Sequence, residues 1–153
     1  MKKEDALRII ISCAKKYHEN LENNNILFVF GSKRETSFFE AVFLPRHFLH
    51  LTGIEILPGK FSGSSSFYEN CLKERIGVND FFLSKNGTTE MKLSVLPQLV
   101  NIHRAAKMVG DFNFSKTAFL TEKLAGTVYA CVGFVRDGKY YMPNTVLRED
   151  ITK

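Results

Sequence analysis

The sequence predicts a single α+β domain, with helices concentrated in its first two-thirds and an antiparallel sheet closing it. Three observations lead there. Apolar residues near the start recur at three- and four-residue steps, the last third is a succession of β-rich runs, and an Asp-Gly pair joins the final two runs. The length of 153 residues fits one domain. A chain of roughly 150 residues buries about 70% of its unfolded surface, enough for a substantial core.

Taken in order, Lys3 to Leu21 carries Ala6, Ile9, Ile10, Cys13, Ala14 and Tyr17 as one apolar stripe, which predicts a helix. The polar stretch Glu19 to Asn25 ends it. Ile26 to Phe30 and Phe38 to Leu44 are short apolar runs rich in β-formers, joined by a turn over Gly31 to Thr36 that holds Lys33 and Arg34. They predict an antiparallel hairpin. Pro45 to Gly53 then breaks the strand pattern. Ser65 or Ser66 is placed to cap a helix through Phe67, Cys71, Leu72 and Ile76 that stops at Gly77.

Asp80 to Leu83 is short and apolar. Thr88 or Thr89 starts another helical pattern through Met91, Leu93, Val95 and Leu96, although Met91, Leu93 and Val95 also alternate as a strand would. Pro97 is expected to kink or restart it before Leu99, Val100 and His103. Lys107 to Phe112, Leu120 to Ala125, Thr127 to Val135 and Lys139 to Val146 suit strands. Asp137-Gly138 predicts a tight hairpin between the last two, because a type I′ turn needs positive φ at both central residues.

Composition narrows the function. Hydrophobic residues are 44% and charged residues 24%, as in ordinary globular proteins. The net charge of +5 is spread almost evenly, so a polyanionic partner would meet a folded site rather than a basic arm. Cys13, Cys71 and Cys131 are too few and too widely spaced for a disulfide framework or a zinc site. No apolar run approaches the length of a membrane span and no signal sequence is evident, so the expectation is a cytoplasmic protein with no membrane partner.

The chemistry-bearing residues lack the usual phosphate-cradling, dinucleotide and metal-ligand patterns, so neither a cofactor nor a metal is expected. What remains is a set of cations, imidazoles and hydroxyls. The densest stretch is Arg46-His47-Phe48-Leu49-His50-Leu51-Thr52-Gly53. If its end is extended, His50 and Thr52 project together. Such a set suits cleavage of RNA, where the ribose 2′-hydroxyl is the nucleophile and the protein moves protons and stabilises phosphate charge. The residues alone favour a plain structural role for His50, as a hydrogen-bonded histidine beside an ordinary turn at Thr52-Gly53. On an unbroken helix, Lys92 and His103 would share a face. Of Tyr140 and Tyr141, which alternate across the last strand, one is expected to face the core and the other to be available for stacking on a base.

The stretch Leu44 to Gly53 resembles the hallmark of the phage-associated nuclease domains of the barnase–EndoU–colicin–RelE superfamily, in particular the fourth named branch. The helices around Phe67-Tyr68 and Lys92-Leu93, Lys123 to Gly126, and Tyr141 to Leu147 are similar as well. The resemblance spans about Ile26 to Ile151, behind the helix at about 3–21. It implies N-terminal helices on a compact antiparallel sheet of about four to five strands, in a barnase- or RelE-like arrangement over 1–153. It also implies metal-independent RNA cleavage, as in toxins of phages and mobile elements, with RNA as partner and a cognate antitoxin or immunity protein beside it.

Carried over by position, His50, Thr52, Lys92, Asn144 and Thr145 are the candidate catalytic residues. Arg46, His47, His103, Tyr141 and Arg148 are the candidate substrate-binding ones. The order departs from that of barnase itself, which places a Glu and paired Arg on late strands. Two other readings remain. One is a non-catalytic RNA- or protein-binding module on the same scaffold, motivated by the lack of a carboxylate near His50 in sequence. The other, a transferase such as an ADP-ribosyltransferase, finds no cofactor motif.

Overall fold

The computed structural model describes residues 1–31, 35–105, 108–111, 123–126 and 130–148. The Lys33-Arg34 turn therefore lies outside the described residues. Helix α1 spans Lys3–Asn20 and buries Ala6, Ile10, Cys13, Ala14 and Tyr17 along the predicted stripe. Acidic Glu4 and Asp5 in its first turn favour the positive end of the helix dipole. Strands β1 (Asn25–Gly31) and β2 (Thr36–Val42) form the expected antiparallel hairpin, with Val29 opposite Phe38.

After β2 the chain enters a helical layer. Pro45–His47 is a single 3-10 turn, followed at once by α2 (Phe48–Thr52). Two-residue strands β3 (Glu55–Ile56) and β4 (Phe81–Phe82) pair antiparallel as a separate small sheet. Between them lies α3 (Ser64–Leu72), shorter than the predicted helix because Glu74 turns to φ 54 after it. Ile76 is buried, but outside the helix.

Helix α4 (Thr88–Leu99) settles the helix-or-strand ambiguity of Met91 to Val95. Pro97 sits in its last turn, where it costs one interior hydrogen bond without breaking the helix. The chain restarts as α5 (Ile102–Ala105). Lys92 and His103 thus belong to different helices, which corrects the expectation that they share a face.

Strands β5 (Met108–Asp111), β6 (Lys123–Gly126), β7 (Cys131–Asp137) and β8 (Tyr140–Leu147) complete the main sheet. Among the described residues its six strands run in the order β1-β2-β8-β7-β6-β5. The α+β class holds, with one strand more than expected and one parallel pair, β2 with β8. Those two are neighbours in space but far apart in sequence. The long connection between them, which runs through the helical layer and then β5 to β7, removes the reversal that a hairpin imposes. The outer strands β1 and β5 approach within 8 Å between Cα atoms, so the sheet curls strongly.

Buried apolar side chains from both layers form one cluster. Two aromatic groups dominate it. Phe28, Phe39 and Phe134 pack under the sheet at 5.1 to 5.8 Å between ring centroids. Phe48 lies 5.3 Å from Tyr17 and 5.2 Å from Tyr68, which seats α2 on α1 and α3. Among the described residues no helix is long and apolar enough to cross a membrane.

Because Phe48 is wholly buried, Phe48→Ala is expected to destabilise the protein by about 3–5 kcal/mol through lost burial and the cavity left behind. Urea denaturation followed by circular dichroism checks this. A loss below about 1 kcal/mol would mean that α2 does not depend on this ring.

Candidate active site

The site is built on the turn that follows β2. Leu44 is extended, at φ −109 and ψ 159, as a residue before proline must be. Both its backbone groups are held. The Tyr17 hydroxyl donates to its carbonyl at 2.7 Å, and its own amide donates to His47 Nδ1 at 3.0 Å. The second bond fixes the His47 ring with Nδ1 as acceptor, so the neutral imidazole carries its proton on Nε2. Burial, the Arg46 guanidinium and His50 push its pKa down to about 4, against the opposing pull of Asp137.

His50 follows on α2 and is exposed. Partial desolvation and the nearby Lys92 ammonium hold its pKa below the usual 6.5. Both imidazoles are therefore mostly neutral near pH 7, and His50 is a proton acceptor in waiting.

Arg46, His47 and His50 form one wall of an open cleft of about 490 Å³. The other wall comes from the β7–β8 hairpin: Val135, Arg136, Asp137, Met142, Pro143 and Asn144. Arg46 Nη2 reaches across to Met142 Sδ at 3.2 Å. Asn144 is there for a particular reason. Gly133 pairs with Thr145 but Phe134 pairs with Pro143, so Asn144 is the extra residue of a β-bulge. A bulge sets one extra residue into a strand and re-aims its side chain.

Of the sequence candidates, Arg46, His47, His50 and Asn144 converge on this cleft. The rest do not line it. Thr52 is fully buried, and its hydroxyl donates to the Leu49 carbonyl at 2.6 Å while accepting the Ile54 amide at 3.3 Å. It caps the end of α2, so the expectation that His50 and Thr52 project together fails because the segment is helical rather than extended. Lys92 is buried behind α2, and Thr145 is buried on β8 beside the bulge. Tyr141 lies on Phe39 at 5.2 Å and belongs to the core side. His103 is on α5, with Nδ1 buried and unpartnered, and Arg148 is exposed just past β8.

Sequence reading missed Arg136, Asp137 and Met142. In sequence Asp137 stands only as a turn residue. Its carboxylate supplies the acidic group that the His50 stretch lacks in sequence. The available signal was the hairpin itself, since a turn next to the last strand must stand beside whatever packs against that strand.

An α+β scaffold that gathers imidazole, guanidinium and amide groups around an open cleft has the equipment of a nuclease. The family comparison agrees. The chain belongs to the family described as phage-Barnase-EndoU-ColicinE5/D-RelE like nuclease4, whose model matches residues 9–153. No curated protein and no solved structure matches the chain.

The His47 environment also makes stability depend on pH. Its folded pKa lies near 4 against 6.5 unfolded, so the unfolded chain takes up the proton first. Its contribution is fully present above pH 6.5 and is lost as pH falls from 6.5 towards 4. Urea titrations at pH 7 and pH 4.5 should show a smaller loss for His47→Asn than for the wild type. Equal losses in both proteins would remove His47 from the acid sensitivity.

Proposed function

We propose that this protein is a metal-independent endoribonuclease that cleaves RNA by attack of the substrate's own 2′-hydroxyl. The observation that carries the reading is the meeting of His47 and His50 with Arg46, Arg136, Asp137 and Asn144 in one cleft. Among the described residues no three His, Cys, Asp or Glu side chains converge as a metal-ligand set.

Asp137 pulls electrostatically on His47, and the other cleft residues have roles in the reaction suited to their chemistry. His50, neutral and open to solvent, accepts the 2′-hydroxyl proton as the 2′-oxygen bonds to phosphorus. The phosphorus–5′-oxygen bond breaks, and the proton is returned to the departing 5′-oxygen. Arg46 and Arg136 offset the negative charge gathering on the phosphoryl oxygens. His47 offers Nε2–H as a fixed donor, because its other nitrogen is occupied by the Leu44 amide. Asn144 orients the phosphate or ribose from the bulge. The products are a 2′,3′-cyclic phosphate and a 5′-hydroxyl.

The family to which the chain belongs is described as phage-associated. The reading therefore extends to a cytoplasmic toxin-like enzyme of a phage or mobile element, with a cognate antitoxin or immunity protein. The carboxylate whose lack in sequence motivates the binding-module reading is supplied on the cleft wall by Asp137, which acts on His47 and so favours the enzyme reading.

His50→Ala is expected to lower kcat/KM for RNA by at least about a hundredfold, with an unchanged circular dichroism spectrum. Wild-type cleavage should persist in EDTA. Its acid limb should fall below pH 6.5, since the base works only unprotonated and its pKa is depressed. A folded His50→Ala protein of near wild-type activity, or cleavage abolished by EDTA and restored by a divalent ion, would overturn the mechanism.

A further inference from the structure

Helix α2 has only five residues, yet it carries the proton-transfer group of the proposed reaction. Its C-terminal end leaves carbonyls without intrahelical partners, as every helix end does. Here three side chains take them. Thr52 Oγ1 donates to the Leu49 carbonyl at 2.6 Å, from within the helix. The other two donors come from α4. Lys92 Nζ donates to the His50 carbonyl at 3.0 Å, and Thr89 Oγ1 donates to the Gly53 carbonyl at 2.6 Å. Thr89 and Lys92 are three residues apart and so lie on one face of α4.

The packing around these bonds is close. Gly53 adopts φ 71, and a Cβ there would stand 2.8 Å from Lys92 Cδ and 3.3 Å from Thr89 Cα. The Lys92 stem thus runs directly across Gly53, in space that no larger residue leaves open. Thr89 Oγ1 also accepts the Ser84 amide at 2.8 Å, which ties the clamp to the loop before α4.

Lys92 is 8% exposed and has no ion-pair partner among the described residues. Burying an ammonium in this way is costly, and the His50 carbonyl is the group it is given. It does not line the cleft, which is walled instead by the 3-10 turn, α2 and the β7–β8 hairpin. Its ammonium therefore reaches the cleft through the backbone of His50.

We propose that Lys92 and Thr89 are positioning residues: they clamp the His50 and Gly53 carbonyls from behind, fix the His50 imidazole at the cleft mouth, and do not touch the RNA. The catalytic consequence rests on the nuclease reading, whereas the effect on His50 itself does not. The charged and titratable groups around His50 are Lys92 from α4, Arg46 and His47 from the 3-10 turn, and Arg136 and Asp137 from the β7–β8 hairpin. Helices α1 and α3, also packed on α2, add no charged residue to the cleft wall. Of these groups, Lys92 is the one whose removal changes the charge behind the ring.

The test is histidine-ring NMR titration of the full chain together with steady-state RNA cleavage. The proteins compared are the wild type, Lys92→Met, Lys92→Arg and Thr89→Val. Lys92→Met should raise the His50 pKa, because a nearby cation is lost. It should lower kcat about tenfold or more with KM within about twofold, the mark of a misplaced rather than a missing contact. Lys92→Arg should keep the His50 titration and recover part of kcat. Thr89→Val should lower kcat without raising KM.

An unmoved His50 titration in Lys92→Met overturns the clamp. So does a KM raised about tenfold or more, which would put Lys92 on the phosphate. Should Lys92→Met not fold, Lys92→Arg and Thr89→Val decide by the same split of kcat against KM. A His50 shift as expected in a protein that cleaves no RNA would support the clamp and refute the nuclease reading, so the two failures are distinct.

Discussion

Phe48 opens a helix of five residues, and its ring, held between Tyr17 and Tyr68, gives that helix a fixed seat. A helix so short is not stable in isolation. Its geometry is imposed by tertiary contacts: the aromatic ring on one side, the Thr52 cap at its end, and α4 behind. His47 and His50 flank Phe48 in sequence and inherit its position. The same Tyr17 that packs on Phe48 also bonds the Leu44 carbonyl, so one buried residue of α1 fixes both the entry to the turn and the helix after it.

The opposite wall depends on a different constraint. The β7–β8 hairpin brings Arg136 and Asp137 to the cleft, and the bulge at Asn144 turns an amide towards it that a regular strand would have placed in the alternation of its neighbours. The two walls meet because β8 lies beside β2, whose end leads straight into the 3-10 turn. This parallel neighbour pair, unlike a hairpin, joins segments about a hundred residues apart in the chain. Electrostatics then favour neutral imidazoles. His47 is disfavoured as a cation by burial and Arg46, and His50 by desolvation and Lys92. A cleft of neutral rings and permanent cations attracts a phosphodiester while keeping a base free at neutral pH.

Much of this was legible in the sequence because it depends on local pattern. The α1 stripe and the first hairpin follow from periodicity, and the structure shows them in place. The last hairpin also forms, but it turns at Gly138-Lys139 rather than Asp137-Gly138, because Asp137 pairs with Tyr140 and only Gly138 takes a positive φ there. The dense stretch from Arg46 to Gly53 was visible as a site candidate. Its conformation was not. Phe48, Leu49 and Leu51 fit either a strand or a helix over five residues, and only packing against Tyr17 and Tyr68 decides between them. Long-range pairing was equally hidden. Nothing local in Asp137 shows that it stands beside His47, and nothing in Tyr141 shows that Phe39 claims it. The bulge at Asn144 is a matter of register between two strands and so has no signature in either one.

The central claim is that the reaction uses the substrate's 2′-hydroxyl and an imidazole base. Its most direct test is the chemistry of the cut ends. A defined RNA is incubated with the purified protein in EDTA, and the fragments are analysed by mass spectrometry. The account predicts 2′,3′-cyclic phosphate and 5′-hydroxyl termini, and no cleavage of the same sequence carrying 2′-deoxyribose at the cut position. Fragments with 3′-hydroxyl and 5′-phosphate ends, or cleavage of the deoxy-substituted strand, would contradict it.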